Sequence, residues 1–379
     1  MSGSSEVNLK QTLRKIEYPL CAQEALKKIG ELLCSRSTNI KSMDLSLDLM
    51  AEFVFWESDR RGNKRSHALS PLVELELLQI LFEYLNSISN EATRNTLFLN
   101  LFSPITANIR LGILSKLVSL AVGIPSANIL MCASTWMQQL GNTSASSCKL
   151  AEALVFDYIH LSSNPEERLK DLSKIAPQFV ANFLTAVAEN YFISKKEPKY
   201  PPDALLRCIT NWVSEDSNLC IAAQQRQGIL PPGAIAMEAT TPIAGLLRWC
   251  VLAPLNHQDQ EIYSMLYLAL LNSISAIPRS NPPRAINVQH LFGIVSALII
   301  YHKEIRSRDE SKMNVFLNDP AMQVALDRFS QAVQIALSVN AIYGHIDELF
   351  NSLQSLPFNK LLSIVLNKYK ESKAPIIIV

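Results

Sequence analysis

Glycine is scarce in this sequence: eleven in 379 residues, about 3% against the ~7% usual in proteins. Hairpin-built sheets need glycine in their turns, and no Asn-Gly or Asp-Gly step occurs. The same scarcity argues against phosphate cradles made of backbone amides. No GxxxxGK[ST] loop, GxGxxG fingerprint, GxSxG elbow or HExxH pair is present. Charge is short as well, at 18% of residues against roughly 25% on average. Two readings of that shortfall stay open. Some outer faces are covered by another protein, or Ser, Asn and Gln, which are abundant here, take over as surface residues. The signs balance, 35 basic against 34 acidic, for a net charge of +1. Proteins that hold nucleic acid through phosphates carry a basic excess, so no direct, specific nucleic-acid binding is expected. Long apolar runs are also missing. The longest, LFGIVSALIIY at 291–301, has eleven residues, where a membrane span needs about 20. The polar start, MSGSSEVNLKQTLRK, has no apolar core of a secretory signal. A soluble protein of the cytosol or nucleus, with no membrane partner, is expected.

Side chains that do chemistry are present but scattered. The seven cysteines, Cys21, Cys34, Cys132, Cys148, Cys208, Cys220 and Cys250, form no CxxC or Cys/His pattern. They read as reduced thiols inside apolar helices. Of histidines 67, 160, 257, 290, 302 and 345, five stand alone at helix ends or in loops, and His290 opens an apolar helix, where it reads as a packed core or surface residue rather than a ligand. Asp157 and His160 share a helical face beside Tyr158, a start for acid–base work, but such pairs are more often surface hydrogen bonding. No catalytic residue, metal ligand or cofactor site is expected, and hence no enzyme.

What remains is helical periodicity almost throughout. Helices are expected over 20–35 and 41–56. Ser70 caps the next, with Pro71 in its first turn, where proline is favoured. Its apolar stripe (Leu72, Leu75, Leu78, Phe82, Leu85, flanked by Leu77, Ile80, Leu81 and Tyr84) is wide enough to be buried on two sides. Further helices are expected at 94–102, 110–122, 126–140, 146–161 and 176–192, and Asn164-Pro165-x-Glu167 reads as a helix start with a capping box. KKEPKYPP at 195–202 is the clearest linker. Beyond it, helices follow from 203 to about 370, broken sharply at 278–283 and 318–320. The expected fold is all-α without a sheet, an irregular HEAT- or armadillo-like solenoid or helical array. One array spans 1–200, and a second spans 201–379 or continues the first. Helix pairs recur at about 40 residues, but no repeat signature is found.

Three stretches draw attention. Arg60-Arg61-Gly62-Asn63-Lys64-Arg65 is an import signal, a nucleic-acid contact or a solvated loop, with Glu57 and Asp59 weakening its field. In TTPIAGLLRWCVLAPL, Thr241 reads as a cap with Pro242 behind it, and Arg248 beside Trp249 is the only charge from 239 to 258. Arg and Trp anchor protein interfaces; alternatively this helix is internal and its arginine meets a core carboxylate or helix-end carbonyls. AMQVALDRFSQAVQIALSVNAI carries only Asp327 and Arg328, with Phe329 on its apolar face, as a helix packed on both sides or a partner-binding one. Thr241, Pro242, Arg248, Trp249, Arg328 and Phe329 are the candidate partner-binding residues.

These last two stretches resemble segments of the Integrator complex subunit 15 family. So do AEFVFW near 51, LVELELLQILFEYL at 72–85, RNTLFLNLFSP at 94–104, RLGILSKLVSLAVGIP at 110–125, MCASTWMQ at 131–138 and LAEALVFDY at 150–158, in the same order along the chain. The resemblance implies a nuclear scaffold of the Integrator complex, which forms the 3′ ends of small nuclear RNAs and terminates RNA polymerase II transcription early. The endonuclease and phosphatase of that assembly lie in other subunits. Members are thought to join the module of subunits 10, 13 and 14 to the core, so subunit 10 and core subunits are the expected partners. The resemblance carries over no catalytic residue. Against the family pattern, 255–263 is short where members have a long polar insertion, and Ala-Pro-Ile-Ile-Ile-Val stands where they have a proline-rich tail.

Overall fold

The computed structural model describes residues 2–34, 40–65, 69–192, 199–221, 241–256, 258, 261–278, 284–308 and 319–373. The chain divides into two compact units. The described part of the first holds 2–141 and 145–154, and that of the second holds 142–144, 155–221 and 241–373.

The first unit contains α1 (Ser2–Leu13), α2 (Leu20–Cys34), α3 (Ile40–Leu49), α4 (Pro71–Ser87), α5 (Glu91–Leu101), α6 (Ala107–Gly123), α7 (Ala127–Leu140) and α8 (Ala145–Val155). Capping chemistry starts several of them. The Ser70 hydroxyl accepts from the Val73 amide, Asn90 from Thr93, and Ser126 from Ile129. The helix expected at 41–56 forms as α3 followed by a π-helical turn, Met50–Val54, which buries Phe53 and Val54. α2 packs on α3, α4 and α5, and α7 packs on α4, α5 and α6. The two-sided burial expected of α4 does not occur. Leu77, Leu78, Leu81 and Leu85 are buried, but Leu72 and Leu75 are 67% and 60% exposed.

The second unit contains α9 (Pro165–Leu169), α10 (Leu172–Ile175), α11 (Pro177–Ala188), α12 (Asp203–Glu215), α13 (Pro242–Leu252), α14 (Glu261–Ser275), α15 (Val288–Arg308), α16 (Pro320–Ser338), α17 (Ile346–Leu353) and α18 (Lys360–Lys373). The capping box at Asn164 does not form: that residue opens α9 without a side-chain bond to it. Among the described residues one two-stranded pairing is present, a parallel ladder of Ile286–Asn287 with Ile342–Tyr343, besides an isolated bridge from Ser58 to Lys64. The all-α array is thus what folds, with two residues of ladder on each side holding the buried Ile286 and Ile342 in place.

α13 is the hub of this unit. It packs on α11, α14, α15 and α16, and nine of its eleven residues are buried. In a regular solenoid, contacts run from neighbour to neighbour; here one helix touches four others, as in a globular array. Residues on both sides of 200/201 belong to this unit. Phe192 and Tyr200 flank the expected linker, and their rings meet edge to face at 5.3 Å. Phe192 also lies 6.1 Å from Tyr263 and 6.5 Å from Trp249. The division by contacts falls near 142–155. A polar, proline-rich string marks a break in helix, and a break in helix does not have to be a break in core.

Candidate functional site

The six candidate partner-binding residues lie in or beside the hub of the second unit. α11 ends at Ala188, and the last four carbonyls of any helix lack partners within it. Water cannot satisfy a carbonyl in a packed core, and an orphaned one costs roughly 1–3 kcal/mol. Arg248 and Trp249 supply the donors. Arg248 Nη2 donates to the Ala188 carbonyl at 2.6 Å, and Trp249 Nε1 donates to the same oxygen at 3.1 Å. Arg248 Nη1 reaches Glu189 Oε2 at 3.4 Å. Trp249 is fully buried, with Tyr191 edge-on at 5.5 Å. Gly245 permits this closeness, since a Cβ there would meet the Ala188 Cβ at 2.6 Å.

Arg328 repeats the arrangement near the C-terminal end of α13. Its Nη1 donates to the Cys250 carbonyl at 2.7 Å, and its Nη2 to Ser264 Oγ at 2.9 Å. The guanidinium lies 5.8 Å from the Tyr267 ring, whose hydroxyl donates back to the Arg328 carbonyl at 2.8 Å. Phe329 is wholly buried. Thr241 occupies the N-cap position of α13 but does not cap it: its hydroxyl donates instead to the Ala285 carbonyl, beside the ladder. Pro242 fills the first turn and is buried. Five of the six side chains are therefore inside the unit and Arg248 is half-buried. Arg248 thus meets both a helix-end carbonyl, that of Ala188, and a carboxylate, that of Glu189.

The same device recurs at residues the sequence reading passed over. Arg94 donates to the carbonyl of Ile88, just past α4, at 2.6 Å. Arg110 donates to Leu101, the last residue of α5, at 2.7 Å, and Trp136 to Phe102 behind it at 2.6 Å. Trp212 donates to Leu169 at the end of α9 at 3.0 Å. Three of the four tryptophans thus serve buried helix ends. For Trp136 and Trp249 the available signal was their setting: an isolated donor on a large apolar body, in a helix with almost no charge.

Elsewhere the groups singled out for chemistry are quiet. Burial pushes the Cys250 thiol up to about 12, and Cys132 and Cys208 likewise, so these thiols stay protonated. Burial holds His290 below the ordinary imidazole range, opposed by Glu189 and reinforced by Arg248. His160 faces the Phe156 ring at 6.2 Å in a π-helical turn, Phe156–His160. His67, His257 and the tail 374–379 lie outside the described residues. Among the described residues, no group of three His, Cys, Asp or Glu is placed to hold a metal ion. Nor is any helix among them long and apolar enough to cross a membrane.

The basic loop is an ordered turn. Asp59 Oδ1 accepts from the amides of Arg61 and Asn63, both at 2.8 Å, which holds its carboxyl below the usual range. Arg65 stacks 3.2 Å from the Trp56 ring centre and donates to Ser58. Glu57 is held by both arms of Arg110, at 2.7 and 2.8 Å.

What the arrangement supplies is hydrogen-bond donors to buried helix-end carbonyls. Comparison with known proteins bears out the resemblance. The family described as Integrator complex subunit 15 matches residues 7–358. A Drosophila melanogaster protein named Integrator complex subunit 15 is 40% identical over 363 residues, covering 93% of this chain and 94% of that protein. Proteins of the same name from Mus musculus and Danio rerio are 28% and 30% identical, covering 93% and 85% of this chain and 86% and 71% of their own lengths. By the span of the family match and the identity to the fly protein, this chain belongs to the Integrator complex subunit 15 family.

Proposed function

We propose that this chain is a non-catalytic, nuclear scaffold subunit of the Integrator complex. In this reading it joins the module of subunits 10, 13 and 14 to the core, in small nuclear RNA 3′-end processing and in RNA polymerase II termination. Its support is the relatives' shared name together with one observation: both units present large apolar side chains on outer helix faces. In the first unit Ile40, Met43 and Leu47 stand exposed on α3 at helical spacing. In the second, Phe358 stands exposed just before α18, and Leu361 and Ile364 stand exposed in its first two turns. Exposed apolar stripes of this kind mark protein contacts, and a separate stripe on each unit suits a subunit with two partners. Thr241, Pro242, Arg248, Trp249, Arg328 and Phe329 then serve partner binding indirectly, by fixing the helices that carry the second surface.

The test is a pull-down from nuclear extract on the full chain, with Met43→Glu plus Leu47→Glu in one variant and Leu361→Glu plus Ile364→Glu in another. Each variant is expected to lose one set of subunits tenfold or more and keep the other, at an unchanged melting temperature. If both variants lose every partner together, or neither loses any, the bridge reading fails. If the unaltered chain brings down no Integrator subunit, it serves a different assembly.

A further inference from the structure

The surface between α2 and α4 holds an open groove of about 810 Å³ within the first unit. Its apolar part is made by the rings of Tyr18 and Tyr84, with Leu20, Val73 and Ile80. The phenol groups are turned to internal work: Tyr18 Oη donates to the Val54 carbonyl at 2.9 Å and Tyr84 Oη to the Leu26 carbonyl at 3.0 Å. Gly30 makes the second bond possible, since a Cβ there would stand 2.8 Å from Tyr84 Oη. The groove therefore offers fixed aromatic rings with their polar atoms already satisfied, and Leu20 at its edge is 61% exposed.

Its charge is one-sided. Glu17, Glu76 and Glu83 line it against the single cation Lys27. Lys27 is already neutralised, its Nζ lying 2.7 Å from Glu24. Among the described residues no cation pairs with Glu17, Glu76 or Glu83. Glu76 and Glu83 are two turns apart on the outer face of α4, with Ile80 between them. An occupant must therefore place apolar side chains toward the rings and positive charges toward both rims. α4 runs for 17 residues, about 25 Å at 1.5 Å per residue, and the floor is a trough between two packed helices. A helix laid lengthwise fits such a trough through anchors at i, i+3 or i+4, and i+7.

We propose that the α2–α4 groove is a docking site for a basic amphipathic helix of a partner protein, held by apolar anchors on Tyr18, Ile80 and Tyr84 and by Lys or Arg side chains on Glu17, Glu76 and Glu83. This deepens the scaffold reading and rests on it only for the identity of the partner. The apolar contact supplies most of the affinity, and the carboxylates select the sign and orientation of the incoming helix and its rate of arrival.

The experiment places a benzophenone amino acid at Gln79, which is exposed on the groove's rim, in the full chain. The chain is irradiated in nuclear extract and the cross-linked segment is sequenced. The expected product is a segment with helical apolar spacing and a net positive charge. Glu76→Lys plus Glu83→Lys in the same chain should lower its yield at least tenfold, and Glu76→Gln plus Glu83→Gln should lower it less. Both carboxylates are exposed, so the melting temperature should not move. An acidic or neutral segment, a second copy of this chain, no product, or a yield indifferent to charge reversal would each overturn the groove assignment. A basic helix from a protein outside the Integrator complex would uphold it and sink the scaffold reading instead.

Discussion

Arg328 is 8% exposed, yet it carries a full charge in a helix that has only one other. A buried guanidinium is costly unless its donors are spent. Its two amino groups span the Cys250 carbonyl and the Ser264 hydroxyl, atoms on different elements that a single ammonium could not hold in the same planar fork. Arg328→Ala removes the donors and leaves a helix-end carbonyl dry. It should cost about 2–4 kcal/mol, seen as a lower urea midpoint at constant slope. Arg328→Lys should recover only part of that. A loss below about 0.5 kcal/mol for the alanine variant would mean that the residue is dispensable to the core, and its conventional role as an interface anchor would return. The same residues show where sequence reading stops. That Arg248, Trp249, Arg328 and Phe329 are exceptional was visible from their charge-poor surroundings. Whether the exception serves another protein or the chain's own carbonyls depends on what lies 60 to 80 residues away, which spacing does not encode.

Along a helix, periodicity tells which residues share a face but not how many neighbours that face has. α13 and α4 are both wide apolar helices. α13 has one charge in its span and is packed by four others; α4 carries Glu74, Glu76 and Glu83 and keeps a wet side. Those carboxylates were the available sign that its leucine stripe would be buried only in part. The start of α4 was legible in the same way, through its cap and proline, Ser70 with Pro71, whereas Asp319 caps α16 at a place that the sequence marked only as a break. Thr241 and Asn164 look the same on paper but make no capping bond, and for Thr241 the reason is a competing tertiary acceptor, the Ala285 carbonyl. The split character of α4 is measurable. Leu75→Gln should change stability by no more than about 0.5 kcal/mol, as surface substitutions do. Leu81→Ala, in the fully buried row, should cost about 2–5 kcal/mol. Equal losses in chemical unfolding would restore the two-sided burial expected from the stripe alone.

At the scale of the whole chain, the decisive question is where one core ends and the next begins. Composition favours a cut in KKEPKYPP, because proline and lysine disfavour both helix and burial. Packing puts the cut earlier. Helices α9 to α11 precede that string, yet α11 buries every residue from Gln178 to Ala188, and its packing partners include α13, more than fifty residues later. Phe183 meets Trp212 at 6.5 Å, and Asn142 donates to the buried Asn182 at 2.9 Å. A fragment ending at residue 200 therefore keeps half of a core without its other half, and exposes Phe179, Val180, Phe183 and Leu184. A fragment ending at residue 162 keeps the described first unit, with its own buried Trp136, Phe98 and Phe102. Expressed separately, the 1–162 fragment should be monomeric by size exclusion and melt in one cooperative step. The 1–200 fragment should aggregate, or be trimmed by limited proteolysis to a stable product ending near 160. Mass spectrometry of the trimmed product reads the boundary directly. A 1–200 fragment that resists protease to its last helix and melts as one cooperative body would move the boundary back to the proline-rich string.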